Sequence, residues 1–127
     1  MNFQFELDGE TKKIKNPTLE LITKHLKEIN PRFKSFFILT NESGHFVQCA
    51  GAKLRLTIEF KDLNNINVIG SDKPNKEEIS INYSGGAITI HRNEVLTVND
   101  AIKVFETFYN TGNIPDDYIL RKVSETL

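Results

Sequence analysis

The sequence predicts an α+β fold: an antiparallel sheet of about five to seven strands, with an N-terminal and a C-terminal helix packed on one face. Three observations carry this. Several short segments alternate apolar and polar residues at period two, the repeat of a half-buried strand. Two segments repeat apolar residues at three and four instead, the repeat of an amphipathic helix. The alternating segments are joined by turns too short for the crossover that parallel strands require, so neighbours pair antiparallel. Forty of the 127 residues are Leu, Ile, Val or Phe. That is enough for one core, and a single domain over residues 1–127 is expected.

Each element has its own signal. Phe3, Phe5 and Leu7 open at period two, Asp8-Gly9 marks a hairpin, and Thr11 to Lys15 form a short return strand. Asn16-Pro17 starts a helix, with Asn as cap and Pro at the first helical position, where its missing donor is not needed. Leu19, Ile22, Leu26 and Ile29 follow on one stripe, and Asn30-Pro31 ends it. Residues 36–40 read as a central strand, and Asn41-Glu42-Ser43-Gly44 as a turn. Phe46 to Cys49 runs into Ala50-Gly51-Ala52, small residues that suit a bulge or a close approach of backbones. Leu54, Leu56, Ile58 and Phe60 alternate with Arg55, Thr57, Glu59 and Lys61, the clearest strand of the chain. Residues 62–67 read as a polar loop, Val68-Ile69 as a weak strand and 71–78 as a loop. Two further strands flank the tight turn Ser84-Gly85-Gly86.

After Leu96 the period changes. Thr97 and Asp100 form a capping-box variant ahead of a stripe of Val98, Ala101, Ile102, Phe105, Phe108 and Tyr109, and Gly112 suits the C-cap. Pro115-Asp116-Asp117 predicts a last helical turn carrying Tyr118, Ile119 and Val123.

Charge and composition exclude several functions. Sixteen basic against 17 acidic side chains leave a net charge of −1, and Lys outnumbers Arg 12 to 4, so no direct nucleic-acid partner is expected. One Cys cannot form an intramolecular disulfide, the opening residues lack the basic and apolar regions of a signal peptide, and no apolar run approaches a membrane span. A cytoplasmic protein with no membrane partner is expected. The charge is uneven: seven basic side chains against two acids in residues 12–34, and five acids against Lys103 alone in residues 94–117. Solvated helix faces account for both. The competing reading is an acidic C-terminal region that meets a basic protein partner.

No constellation announces chemistry. His45 and Cys49 are four apart, so on a strand they would share a face and could act as two zinc ligands or as base and nucleophile. No Cys-x-x-Cys or His-x-x-x-His supplies further ligands. There is no Gly-x-Ser-x-Gly elbow and no phosphate-cradling glycine loop. His25 lies beside a helical stripe, and His91 is next to Arg92. The pairs Glu77-Glu78 and Asp116-Asp117 read as turn or helix-start residues. An enzyme, a metal and a cofactor are therefore not expected.

The order of these segments resembles the bacterial polymorphic-toxin immunity proteins, in particular the family numbered one among them, often encoded beside deaminase-type toxins. The resemblance rests on the opening strand and short helix, then Phe37-Ile38-Leu39-Thr40 and the turn Asn41-Glu42-Ser43-Gly44. It continues through Phe46-Val47-Gln48-Cys49-Ala50-Gly51, the strand from Leu54 to Phe60 and the Gly85-Gly86 turn. It closes on Val95-Leu96-Thr97, the helix with Phe105 and Phe108, and Thr111-Gly112-Asn113-Ile114-Pro115. The family's pattern has a Trp shortly after the counterpart of Pro115; this chain has no Trp, and Leu120 stands there. The resemblance implies a non-enzymatic inhibitor that binds one cognate toxin stoichiometrically. For a deaminase-type toxin the target cleft holds nucleic acid and is basic, which an acidic surface would complement. The positions expected to face the toxin are Glu42, His45, Asp116, Asp117 and Leu120. An exposed edge strand would equally pair two copies into a homodimer. Two alternatives stand beside this reading: a regulatory or scaffold domain with a non-toxin ligand, and a small metal-binding or hydrolytic domain using His45 and Cys49.

Overall fold

Two strands open the molecule, β1 (Asn2–Leu7) and β2 (Glu10–Lys15), in a computed structural model that describes residues 1–63, 65–73 and 75–125. They turn through Asp8-Gly9, whose positive φ angles of 52° and 81° suit a type I′ hairpin. Helix α1 (Leu19–Leu26) comes third, after the two strands the sequence places ahead of it, so it does not sit at the N-terminus. Its cap is Thr18, whose hydroxyl accepts from the Leu21 amide at 3.2 Å. Asn16, the expected cap, sits at a φ of 51°, in the left-handed region, where a residue cannot hold the extended geometry of an N-cap. The helix also stops at Leu26 instead of reaching Ile29.

Next come β3 (Phe36–Thr40), β4 (Phe46–Ala52), β5 (Arg55–Lys61), β6 (Asn65–Gly70), β7 (Glu78–Tyr83) and β8 (Gly86–His91). A 3-10 turn at Arg92–Glu94 leads to α2 (Val98–Thr111) and finally to β9 (Ile119–Glu125). Helix α2 carries the expected capping box: the Asp100 carboxylate accepts from the Thr97 amide at 2.9 Å. Among the described residues the architecture is α+β, with a seven-stranded antiparallel sheet in the order β2-β1-β3-β4-β5-β6-β9 and two helices. Strands β7 and β8 form a hairpin outside that sheet.

Three expectations fail. Leu54, placed at the head of a strand, lies in the turn between β4 and β5 and is 82% exposed. Residues 65–67, read as loop, belong to β6; the polar Asn65 and Asn67 hid the alternation. The last helical turn is absent, and Ile119–Glu125 forms an edge strand against β6. Apolar residues at 119, 120 and 123 mimic helical spacing. Backbone pairing with β6, bent by a register shift beside Asn67, decides otherwise.

The pairing register sorts the strands into two faces. Phe3, Leu39, Val47 and Phe60 align across four strands, and Phe5, Phe37, Cys49 and Ile58 form the next row. These rows join Ile22 and Leu26 of α1 and Ala101, Val104, Phe105 and Phe108 of α2 in one buried cluster. The opposite face carries the rows Gln4-Ile38-Gln48-Glu59-Val68 and Phe36-Ala50-Thr57. There Val68 packs with Ile81 and Ile90 of the β7–β8 hairpin in a second, smaller cluster. Among the described residues no helix is long and apolar enough to cross a membrane.

Candidate functional site

The structure divides the five predicted contact positions into two groups. Glu42 is exposed in the β3–β4 turn, and His45 is half-buried just before β4. Asn41 shapes this turn: its side-chain oxygen accepts from the amides of Ser43 at 3.0 Å and His45 at 3.1 Å. Both residues line shallow grooves that reach Thr111 and Gly112, at the C-terminal end of α2.

Asp116, Asp117 and Leu120 belong to the other group. Asp117 is exposed and paired with Lys103 in the first half of α2; the hydrogen bond from Lys103 holds its carboxyl below the ordinary value. The Lys103 ammonium also lies over the Tyr118 ring, 5.3 Å from its centroid. Tyr118 in turn donates its hydroxyl to Asp100 at 2.7 Å. The connection from Gly112 to Tyr118 thus runs back along α2, and Lys103 and Gly112 are roughly 13 Å apart along its axis. Leu120 is 44% exposed on the outer strand, opposite Ile69.

His45 and Cys49 do not share an environment. Cys49 is buried in the main cluster, and burial pushes its thiol far above the usual range, the reverse of what a reactive thiolate requires. His45 stays in the β3–β4 turn and lines a groove with Asn41 and Asp62. Among the described residues, no three His, Cys, Asp or Glu side chains are grouped to hold a metal.

Sequence reasoning missed two features. The first is a cavity of about 230 Å³ between the sheet and the β7–β8 hairpin. Phe36, Ile38 and Ala50 line it from the sheet, and Tyr83 and Ile88 from the hairpin. Its polar lining is Thr57, Gln48 and Glu59. Gln48 donates to Glu59, which makes no ion pair among the described residues. Thr57 is 2% exposed, and its Oγ1 is buried without a hydrogen-bond partner. Native structures rarely leave a buried hydroxyl in that state.

Several contacts hold the hairpin over this cavity. The Ser84 amide donates to Ser35 Oγ at 3.1 Å, and the Ser35 amide and hydroxyl donate to Glu6 at 2.9 and 2.8 Å. Burial alone would raise the Glu6 carboxyl, but hydrogen bonds from Ser84 and Ser35 hold it below its ordinary value. Farther along, Arg55 donates to the Ser80 carbonyl at 3.1 Å. The Tyr83 ring lies across Gly85, where a Cβ would come within 2.6 Å of it.

The second missed feature is a pair of buried charges. Glu94, 2% exposed, takes two hydrogen bonds of 2.8 Å from Arg121 of β9 and one of 2.7 Å from the His91 amide. Burial opposes its ionisation, yet these bonds hold its carboxyl below the ordinary value. Lys34 is likewise buried; it meets Glu28 and His25 and lies over the Phe5 ring at 4.9 Å. Glu94 and Arg121 lie 27 positions apart, and Lys34 reaches back across a turn to Glu28 six positions before it, so neither pair follows a helix or strand repeat. No protein-family model matches the chain, and no curated protein matches its sequence.

Proposed function

We propose that this chain is a bacterial immunity protein that binds and neutralises a cognate toxin domain, of the nucleic-acid-acting deaminase type, by stoichiometric protein–protein contact in the cytoplasm. The order of segments that resembles such proteins supports the reading. The observation that carries it in three dimensions is the outer strand β9. Ile119, Leu120 and Val123 are 48%, 44% and 40% exposed there, with Asp116 and Asp117 leading into the strand. An outer strand offers unpaired backbone groups to a partner, and apolar side chains along it add contact area. In this reading α1 and α2 both cover the face that bears Phe3, Phe37, Val47 and Phe60, and the β9 edge stays open to the toxin. Asp116, with no ion pair among the described residues, supplies the negative charge, since Asp117 is engaged by Lys103. Glu42 and His45, at the other end of α2, stand outside the contact.

The test uses the protein encoded beside this gene as the candidate toxin. Co-expression is expected to restore growth, and the purified pair to form a one-to-one complex. Leu120→Asp combined with Asp116→Lys is expected to weaken binding by about thirtyfold or more, the scale of hot-spot residues. Glu42→Lys is expected to leave it unchanged. Full affinity in the Leu120/Asp116 variant would remove the β9 edge as the contact, and a neighbouring toxin that neither binds nor is neutralised would remove the function.

A further inference from the structure

We infer that the cavity between the sheet and the β7–β8 hairpin is a binding site for a small organic ammonium, a protonated amine on a compact apolar body. This site is separate from the β9 edge, and it stands or falls without the toxin.

Size sets the first limit. A dry cavity of about 150 Å³ holds benzene, so one of this volume takes about nine or ten non-hydrogen atoms. The cavity measures about 230 Å³. Its walls set the second. Phe36, Ile38, Tyr83 and Ile88 make most of the lining apolar and partly aromatic, which favours an apolar body and disfavours a strongly hydrated one.

The polar groups set the third. Glu59 contributes a carboxylate whose only side-chain partner among the described residues is the neutral amide of Gln48. A carboxylate has about four acceptor sites, so most of its capacity remains open. Thr57 lines the wall beside it, with a buried hydroxyl that has no partner among the described residues. The two residues lie two apart on β5, so they project from the same face. An ammonium brings three donors and a positive charge, and one of those donors meets Glu59. An anion of the same shape would meet Glu59 with like charge. A neutral alcohol would leave the carboxylate unneutralised.

The experiment is a titration of the full chain at neutral pH with 2-phenylethylamine, followed by calorimetry and by backbone amide NMR. Saturable one-to-one binding is expected with a Kd of about 1 mM or tighter, as suits so few atoms. Shifts should centre on Phe36, Ile38, Thr57, Tyr83 and Ile88. Phenylacetate and 2-phenylethanol should bind at least about tenfold more weakly. Glu59→Gln keeps the side-chain shape and an acceptor for Gln48, so it should fold with an unchanged amide spectrum away from the site. It should lose affinity by about tenfold or more. Thr57→Val removes a hydroxyl that is closed to solvent, and should keep its affinity within about threefold. No saturation by about 10 mM amine overturns the inference. So does undiminished binding in the Glu59→Gln variant, or equal binding of phenylacetate. Equal binding of the peptide Ala-Lys-Ala would transfer the cavity to capture of a partner's side chain, and overturns it too.

Discussion

Thr57 shows how little one residue's letter says about its cost. Its place in the alternating strand predicts a side chain facing away from the main cluster, and the register confirms that face. Burial comes from a hairpin that begins more than twenty positions later, which no local pattern reveals. A buried hydroxyl with no partner has lost its water and gained nothing, a penalty of about 1–3 kcal/mol. Thr57→Val keeps the shape and removes the polar atom. It is expected to stabilise the unliganded protein by about 1 kcal/mol, raising the melting temperature by about 3–4 °C. Differential scanning calorimetry checks this; a lower melting temperature would mean that the hydroxyl has a partner in solution. Cys49 makes the opposite point. Its letter suggested chemistry, and burial among Phe37, Val47 and Ile58 makes it core.

At the scale of elements, the β4–β5 pair depends on one position that the sequence does signal. Gly51 adopts a φ of 133°, and a Cβ there would lie 2.5 Å from the Arg55 carbonyl oxygen and 2.9 Å from the Leu56 Cα. Both obstacles are backbone, so neither can turn aside. Gly51→Ala is expected to cost about 2 kcal/mol or more, read as a lower urea midpoint with an unchanged slope. An unchanged midpoint would show that the two strands are looser than this spacing implies. The run Ala50-Gly51-Ala52 announces such an approach, because only small residues permit it. β9 had no comparable signal. A strand at the edge of a sheet is exposed on both faces in part, so its apolar residues need not alternate, and its identity rests on hydrogen bonds to β6.

Across the whole molecule, buried carboxylates tie distant parts together and set the response to acid. Glu94 joins the turn before α2 to β9, and Glu6 joins β1 to Ser35 and the hairpin turn. Both carboxyls are held below their ordinary value of 4.5, so the folded chain binds fewer protons than the unfolded one in the acid range. Their stabilisation is complete above that value and is lost as the pH falls through and below it. Urea midpoints are therefore expected to fall as the pH drops below about 4.5. Glu94→Gln should lower the unfolding free energy at neutral pH by about 1–3 kcal/mol, since it leaves Arg121 with a weaker partner, and should flatten the acid limb. An acid limb as steep as that of the parent would mean that Glu94 does not carry the linkage. The sequence alone determined the α+β class, the antiparallel pairing of neighbours, the Asp8-Gly9 and Ser84-Gly85 turns and the stripe of α2. Each of these follows from periodicity or turn chemistry within a few residues. Only the tertiary structure decided that β1 lies beside β3, that β9 closes the far edge, and that the β7–β8 hairpin leaves the sheet to roof Thr57 and Glu59. Period two states that a strand has two faces; what covers each face is settled by packing between segments that the chain keeps far apart.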